Sequence, residues 1–138
     1  MRLTRASEYA IHAVVAMASE SENGRPMASH LTAQARGIPE RFLLKVLKPL
    51  VSAGILHSVK GPNGGYRLAR PANKITLLEI IEAVDGPMRG EVPRIQGKGT
   101  DALEARLQEI CQQVGNQTRQ QLEKVRISDL VGKTGAKR

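Results

Sequence analysis

Arg41, Lys45 and Lys48 recur at intervals that cluster three cations on one side of a helix, opposite Leu43, Val46, Leu47 and Leu50. At about 100° per residue those four apolar side chains fall within one arc of about 100°. Fixed cations on a helix face bind rather than break bonds: they neutralise phosphates and donate to base edges. A second basic feature follows in Lys60-Gly61-Pro62-Asn63-Gly64-Gly65, where glycines let a backbone come close to a sugar-phosphate wall. Arg67 lies just beyond it, and Arg2 and Arg5 flank the start of the first predicted helix. The candidate DNA contacts are therefore Arg2, Arg41, Lys45, Lys48, Lys60, Pro62, Asn63, Gly64 and Arg67, with Arg5 a weaker addition. A merely solvated basic face is the alternative, and the basic Gly-rich segment behind the helix argues against it.

Other chemistries find little support. His12, His30 and His57 are scattered, and none has a partner at metal-ligand spacing. Asn63-Gly64-Gly65 lacks the Lys-Ser/Thr ending and the strand-to-helix setting of a phosphate-binding loop. No Ser/His/Asp arrangement can be proposed, so an enzyme is not expected. The single cysteine, Cys111, excludes an intrachain disulfide framework and a cysteine-rich zinc site. Its neighbours Ile110 and Val114 suggest a small buried hydrophobe, with a thiol switch as the alternative.

These residues need elements to position them. Ala6, Ala10, Ala13, Val14 and Met17 form a helical stripe over 5–20, ended by Asn23-Gly24. A short helix over 28–36 stops at Gly37, and Pro39 opens a third that runs through Ala53 to Gly54. Pro49 removes a backbone hydrogen bond and predicts a kink in the last turn. Ile55–Val59 and Tyr66–Ala69 then read as a β-hairpin around the Gly/Pro/Asn loop. Thr76-Leu77-Leu78-Glu79 is a capping box that opens a helix over 77–85.

Residues 87–100 lack hydrophobic periodicity and read as a flexible loop. From Asp101 to about Val125 a long helix carries Leu103, Leu107, Ile110, Val114, Leu122 and Val125 at roughly heptad spacing, a stripe suited to pairing with a second copy. Ser128 to Leu130 could begin a last turn, and 131–138 reads as a disordered basic tail.

Composition agrees with this division of labour. The 138 residues carry a formal net charge of +8, with one Phe, two Tyr and no Trp, so aliphatic residues must fill the core. Residues 1–75 hold 11 Lys and Arg against four Asp and Glu, while 76–130 hold seven against nine. The excess positive charge thus gathers in the N-terminal half, as expected of an electrostatic footprint on a polyanion. No apolar run approaches the roughly 20 residues that span a bilayer, so no membrane association is expected. Met1–Thr4 leads directly into a helix without the pattern of a secretory leader, and the expected location is the cytoplasm.

Helix, short helix, tight turn, helix and hairpin is the order of a winged helix-turn-helix. Met1-Arg2-Leu3-Thr4, Tyr9-Ala10, Gly37-Ile38-Pro39, Ala53-Gly54-Ile55, the string Ser58–Arg70 and the helix Ile75–Gly86 resemble the IscR/NsrR/CymR regulators of the Rrf-two family. The resemblance is dense over about 1–86 and covers the remainder only as a long helix. It implies a homodimer joined by the C-terminal helices, reading a two-fold symmetric operator. Many members of that family hold an iron–sulfur cluster on three cysteines in the loop before the dimerisation helix. Here Met88–Thr100 contains no Cys, His or Tyr, so no cofactor is expected.

The expected fold is mainly α with a small β-hairpin: a winged helix-turn-helix domain at 1–86, a loop at 87–100, a dimerisation helix at 101–130 and a tail at 131–138. The expected function is a dimeric transcription regulator, in the first instance a repressor, with double-stranded DNA as partner. A small-molecule or protein effector could act at the 87–100 loop. A protein-docking module is the competing class, but docking alone does not require the N-terminal charge excess.

Overall fold

The computed structural model describes residues 1–20, 24–88 and 101–135. Among these residues six helices and one hairpin follow in the order α1 (Arg5–Glu20), α2 (Ser29–Arg36), α3 (Glu40–Ser52), β1 (Leu56–Val59), β2 (Gly65–Leu68), a 3-10 turn (Ala72–Lys74), α4 (Leu77–Asp85), α5 (Asp101–Glu123) and α6 (Ile127–Gly135). The architecture is the expected mainly helical winged helix-turn-helix with a long C-terminal helix, and boundaries shift by a residue or two. Helix α2 begins at Ser29 rather than residue 28, and Pro39 is the extended residue that precedes α3 rather than its first helical one. The loop expected at 87–100 is described only as far as Met88; residues 89–100 lie outside the described residues, as do 136–138 and the start of the turn at Asn23.

The core is aliphatic, as the scarcity of aromatics requires. Ala10, Ala13, Val14 and Met17 of α1 pack with Leu43, Val46, Leu47 and Leu50 of α3, and with Ile55, Leu56, Ile75 and Ile80. The four α3 residues are all essentially buried, at about 1.5–3 kcal/mol for each fully buried aliphatic side chain. That burial fixes the rotation of α3 about its axis and so decides which residues it shows to solvent. Helix α3 continues through Pro49 to Ser52, and the Pro49 carbonyl accepts from Ala53 N–H at 2.9 Å.

Between α2 and α3 the chain turns at Gly37, whose φ of 65° favours a residue without a Cβ. The Ala33 carbonyl accepts there from Ile38 N–H at 3.0 Å, closing the tight turn. Helix α4 opens with the expected capping box: Thr76 Oγ1 accepts from Glu79 N–H, and Glu79 Oε2 accepts from Thr76 N–H. Arg70 reinforces it by donating to Glu79 Oε1 at 2.6 Å and to the Lys74 carbonyl at 2.9 Å. Partial burial pushes the Glu79 carboxyl up, but the bonds from Arg70 and Thr76 outweigh it and hold the group below its ordinary value.

The C-terminal part of the chain corrects two expectations. Val125 is not on the long helix, because α5 ends at Glu123 and the chain turns back onto the segment before α4. Leu77 N–H donates to the Val125 carbonyl at 2.9 Å, Thr76 pairs with Arg126, and Ile127 N–H donates to the Ile75 carbonyl at 2.9 Å. Nor does a tail begin at residue 131: α6 runs to Gly135, Ile127 is fully buried, and Leu130 and Val131 pack on the core. Periodicity could not show this, since α6 is short and the pairing that starts it is non-local.

Candidate nucleic-acid interface

Helix α3 presents Arg41, Lys45 and Lys48 to solvent because its opposite face is committed to the core. Arg41 and Lys45 converge on one ring: the Arg41 guanidinium carbon lies 4.9 Å and Lys45 Nζ 5.5 Å from the centroid of Phe42. Ser29 Oγ donates to Glu40 Oε2 at 3.0 Å, linking the starts of α2 and α3.

The hairpin pairs Leu56 with Leu68, His57 with Arg67, Ser58 with Tyr66 and Val59 with Gly65. It is also tied to the segment before α2. Met27 N–H donates to the Tyr66 carbonyl at 2.8 Å, and Tyr66 N–H donates to the Met27 carbonyl at 2.9 Å. The two backbones approach so closely at Gly65, where φ is 150°, that any Cβ would meet the Met27 carbonyl. Lys60, Pro62 and Asn63 are exposed at the tip. With Gly64 on one side and Arg25, Pro26, Ala28, His30 and Leu31 on the other, Pro62 and Asn63 line a cleft of about 630 Å³.

The structure therefore brings Pro62, Asn63 and Gly64 beside the start of α2. Arg67 lies elsewhere, lining a hollow with Ala18, Gly24 and Arg70. Arg2 is exposed just ahead of Thr4, which caps α1 by accepting from Ser7 N–H at 3.0 Å. Thr4 and the fully buried Ser7 both donate to Asp85 Oδ2, at 2.8 and 2.6 Å, fastening the start of α1 to the end of α4. Arg25 and His30 also stand beside the tip, a placement that the sequence does not foretell. Arg25 has no periodic element to orient it, and Phe42 lies outside the apolar arc that spacing defines on α3.

On α5, Leu103, Leu107, Ile110 and Val114 are exposed by 60, 37, 41 and 56%, an apolar stripe that the other described residues leave uncovered. Leu122 is half-buried within the chain. Glu82 of α4 accepts from Met88 N–H at 2.8 Å and pairs with Arg119 of α5, so α5 is clasped to the N-terminal half.

An iron–sulfur cluster of the kind raised by the resemblance does not fit the donors present. The one thiol, Cys111, sits part-exposed on α5 rather than buried as expected, and among the described residues no group of three or more His, Cys, Asp or Glu could hold a metal. Thiolate-held clusters need several Cys per site. No helix among the described residues is long and apolar enough to cross a membrane.

Known proteins share both sequence and fold. The protein aau3 of Rhizobium meliloti (strain 1021) is 39% identical over 85 residues, which is 62% of this chain and 54% of that protein. The HTH-type transcriptional regulator IscR of Cronobacter sakazakii is 37% identical over 99 residues, or 72% of this chain and 59% of the relative. The chain thus spans between half and three-fifths of the length of these curated relatives. Among solved structures, CymR of B. subtilis, the global cysteine regulator, superposes with a TM-score of 0.75 at 22% identity, covering 96% of this chain and 97% of that one. T. potens IscR superposes with a TM-score of 0.72 at 21% identity, covering 99% and 90%. Residues 3–133 match the Rrf2 family, described as an iron-dependent transcriptional regulator. A match over nearly the whole chain, together with this fold, makes the protein a member of the Rrf2 family, a family of transcription regulators and not of enzymes.

Proposed function

We propose that the protein is a sequence-specific regulator that binds double-stranded DNA as a homodimer on a two-fold symmetric operator and represses by occupying it. The observation that carries this is the exposed cationic face of α3, held in place by the burial of its opposite face. The hairpin tip stands ready for a flanking groove. In this reading Arg41, Lys45, Lys48, Lys60, Asn63 and Arg2 contact the duplex, Pro62 and Gly64 shape the tip, and Arg67 contributes from the strand behind it.

The uncovered stripe of α5 supports the homodimer, because an isolated helix leaves Leu103, Leu107, Ile110 and Val114 in water. Residues 1–86 are the DNA-binding unit and 101–130 the dimerising one, with α6 returned to the first. The protein works in the cytoplasm without an iron–sulfur cluster. Its signal, a small molecule or a partner protein, acts at the 87–100 segment, of which only the first two residues are described.

The test is selection of bound duplexes followed by titration with Lys45→Ala and Lys48→Ala variants. Each lost phosphate contact should lower the log-log salt slope by about one. A lysine that contacts a base should instead lose affinity in a sequence-dependent manner. Unchanged affinity and slope in both variants would remove α3 from the interface.

A further inference from the structure

Phe42 is the only phenylalanine of the chain, and the core does not use it. In a protein without tryptophan, the largest apolar side chain would be expected inside. Instead the residue is 38% exposed, in the first turn of α3, where Phe42 N–H donates to the Pro39 carbonyl at 3.0 Å. Two of the three cations of the α3 face lean over it, at 4.9 and 5.5 Å from the ring centroid. Both distances fall within the roughly 6 Å at which a cation is attracted to an aromatic face. Lys48 is placed differently, about 120° round the helix from Phe42 at 100° per residue.

We propose that Phe42 is a positioning residue of the DNA-reading face, its ring holding the Arg41 guanidinium and the Lys45 ammonium in a shared arrangement before DNA arrives. This rests on the reading of α3 as the DNA-contacting helix. The physical gain is pre-organisation. Long, many-rotamer side chains such as Arg and Lys lose much conformational freedom on being fixed. A ring that restricts both in the free protein removes part of that loss from the binding step. The N-terminal residues of a recognition helix are the ones that meet base edges, so the arrangement sits where orientation matters most.

Titration of the whole protein onto a selected operator duplex, in several salt concentrations, tests this. Phe42→Leu should bind about five- to tenfold more weakly, as expected for the loss of two exposed cation–π contacts. Its salt slope should stay unchanged because no charge is removed. Phe42→Tyr, which keeps the ring, should bind within about twofold of the parent. In an Arg41→Ala, Lys45→Ala background, Phe42→Leu should have no further effect.

Independently of any variant, ring-current upfield shifts of the Arg41 Hδ and Lys45 Hε protons should appear in NMR spectra of the free protein. Wild-type affinity of Phe42→Leu, an equal loss in Phe42→Tyr, or absent ring-current shifts would each overturn the proposal. So would a Phe42→Leu loss that persists in the double-alanine background, which would make the ring itself a DNA contact. Lys48→Ala distinguishes failure of the underlying reading. A salt slope lowered by Lys48→Ala beside an unaffected Phe42→Leu rejects only the positioning role, whereas Lys45→Ala and Lys48→Ala variants that are both unaffected remove α3 from the interface and the proposal with it.

Discussion

Replacing Gly65 by Ala should detach the wing from the helix-turn-helix while leaving the core in place. A methyl group at this position would intrude on the Met27 carbonyl and come within 2.7 Å of the Ala28 nitrogen. The three nearest atoms it meets are all backbone, so no side-chain rotation relieves the clash. The backbone at φ 150° is also one that L side chains rarely adopt. Relief requires separation of the Met27–Tyr66 pair, whose two hydrogen bonds are worth about 1 kcal/mol each. The left-handed backbone adds about 1 kcal/mol more. A loss of about 3 kcal/mol corresponds to a fall in melting temperature of roughly 10 °C for a chain of this size. Amide hydrogen exchange gives the local readout: Met27 and Tyr66 should lose protection, while Leu47 and Val14 within α3 and α1 should lose no more than the global destabilisation dictates. DNA affinity should fall further than the melting temperature alone explains, because the tip no longer stands beside α2. A Gly65→Ala protein with parental melting and full protection at Met27 would refute the reasoning.

Other perturbations act on separate parts of the molecule. Leu107→Glu with Ile110→Lys should yield monomers by sedimentation and abolish operator binding together; a wild-type monomer at micromolar concentration that still binds a palindrome tightly would contradict the dimer. Glu79 ionises more readily in the folded state than in the unfolded one, so its contribution is complete above the ordinary glutamate value of about 4.3 and is lost as pH falls through the lower folded value. Glu79→Gln should therefore flatten the acid limb of the melting temperature against pH below that value, and an unaltered acid limb would count against the Arg70–Glu79–Thr76 arrangement. Cys111→Ser should keep DNA affinity within about threefold, a change of less than 1 kcal/mol. Anaerobically purified protein should be colourless; stoichiometric iron and sulfide would mean that a cluster draws ligands from side chains other than loop cysteines.

Much of the positioning was legible because it is local. The α3 face, the turn at Gly37, the capping box at Thr76 and the hairpin each depend on residues within one or two turns of chain. What escaped was non-local. The pairing of Met27 with Tyr66 spans the whole helix-turn-helix, and that of Ile75 with Ile127 spans the whole long helix. Neither leaves a periodic trace, and a β-bridge one residue long has no sequence pattern of its own. The role of Phe42 escaped for a different reason. Helical spacing already sets Phe42 outside the arc of Leu43, Val46, Leu47 and Leu50, but the approach of Arg41 and Lys45 to its ring depends on side-chain conformation, which spacing does not give.

The return of α6 to α1 also sets an order of events during synthesis. Ile127 is fully buried in the same cluster as Ala10 and Leu47, and Leu130 and Val131 pack against that cluster. A nascent chain that has just exposed its wing to the cell still has an open side to its core, and closure waits until α6 clears the ribosome. A fragment cut at residue 86 therefore keeps the helix-turn-helix and the hairpin but lacks the piece that closes their core.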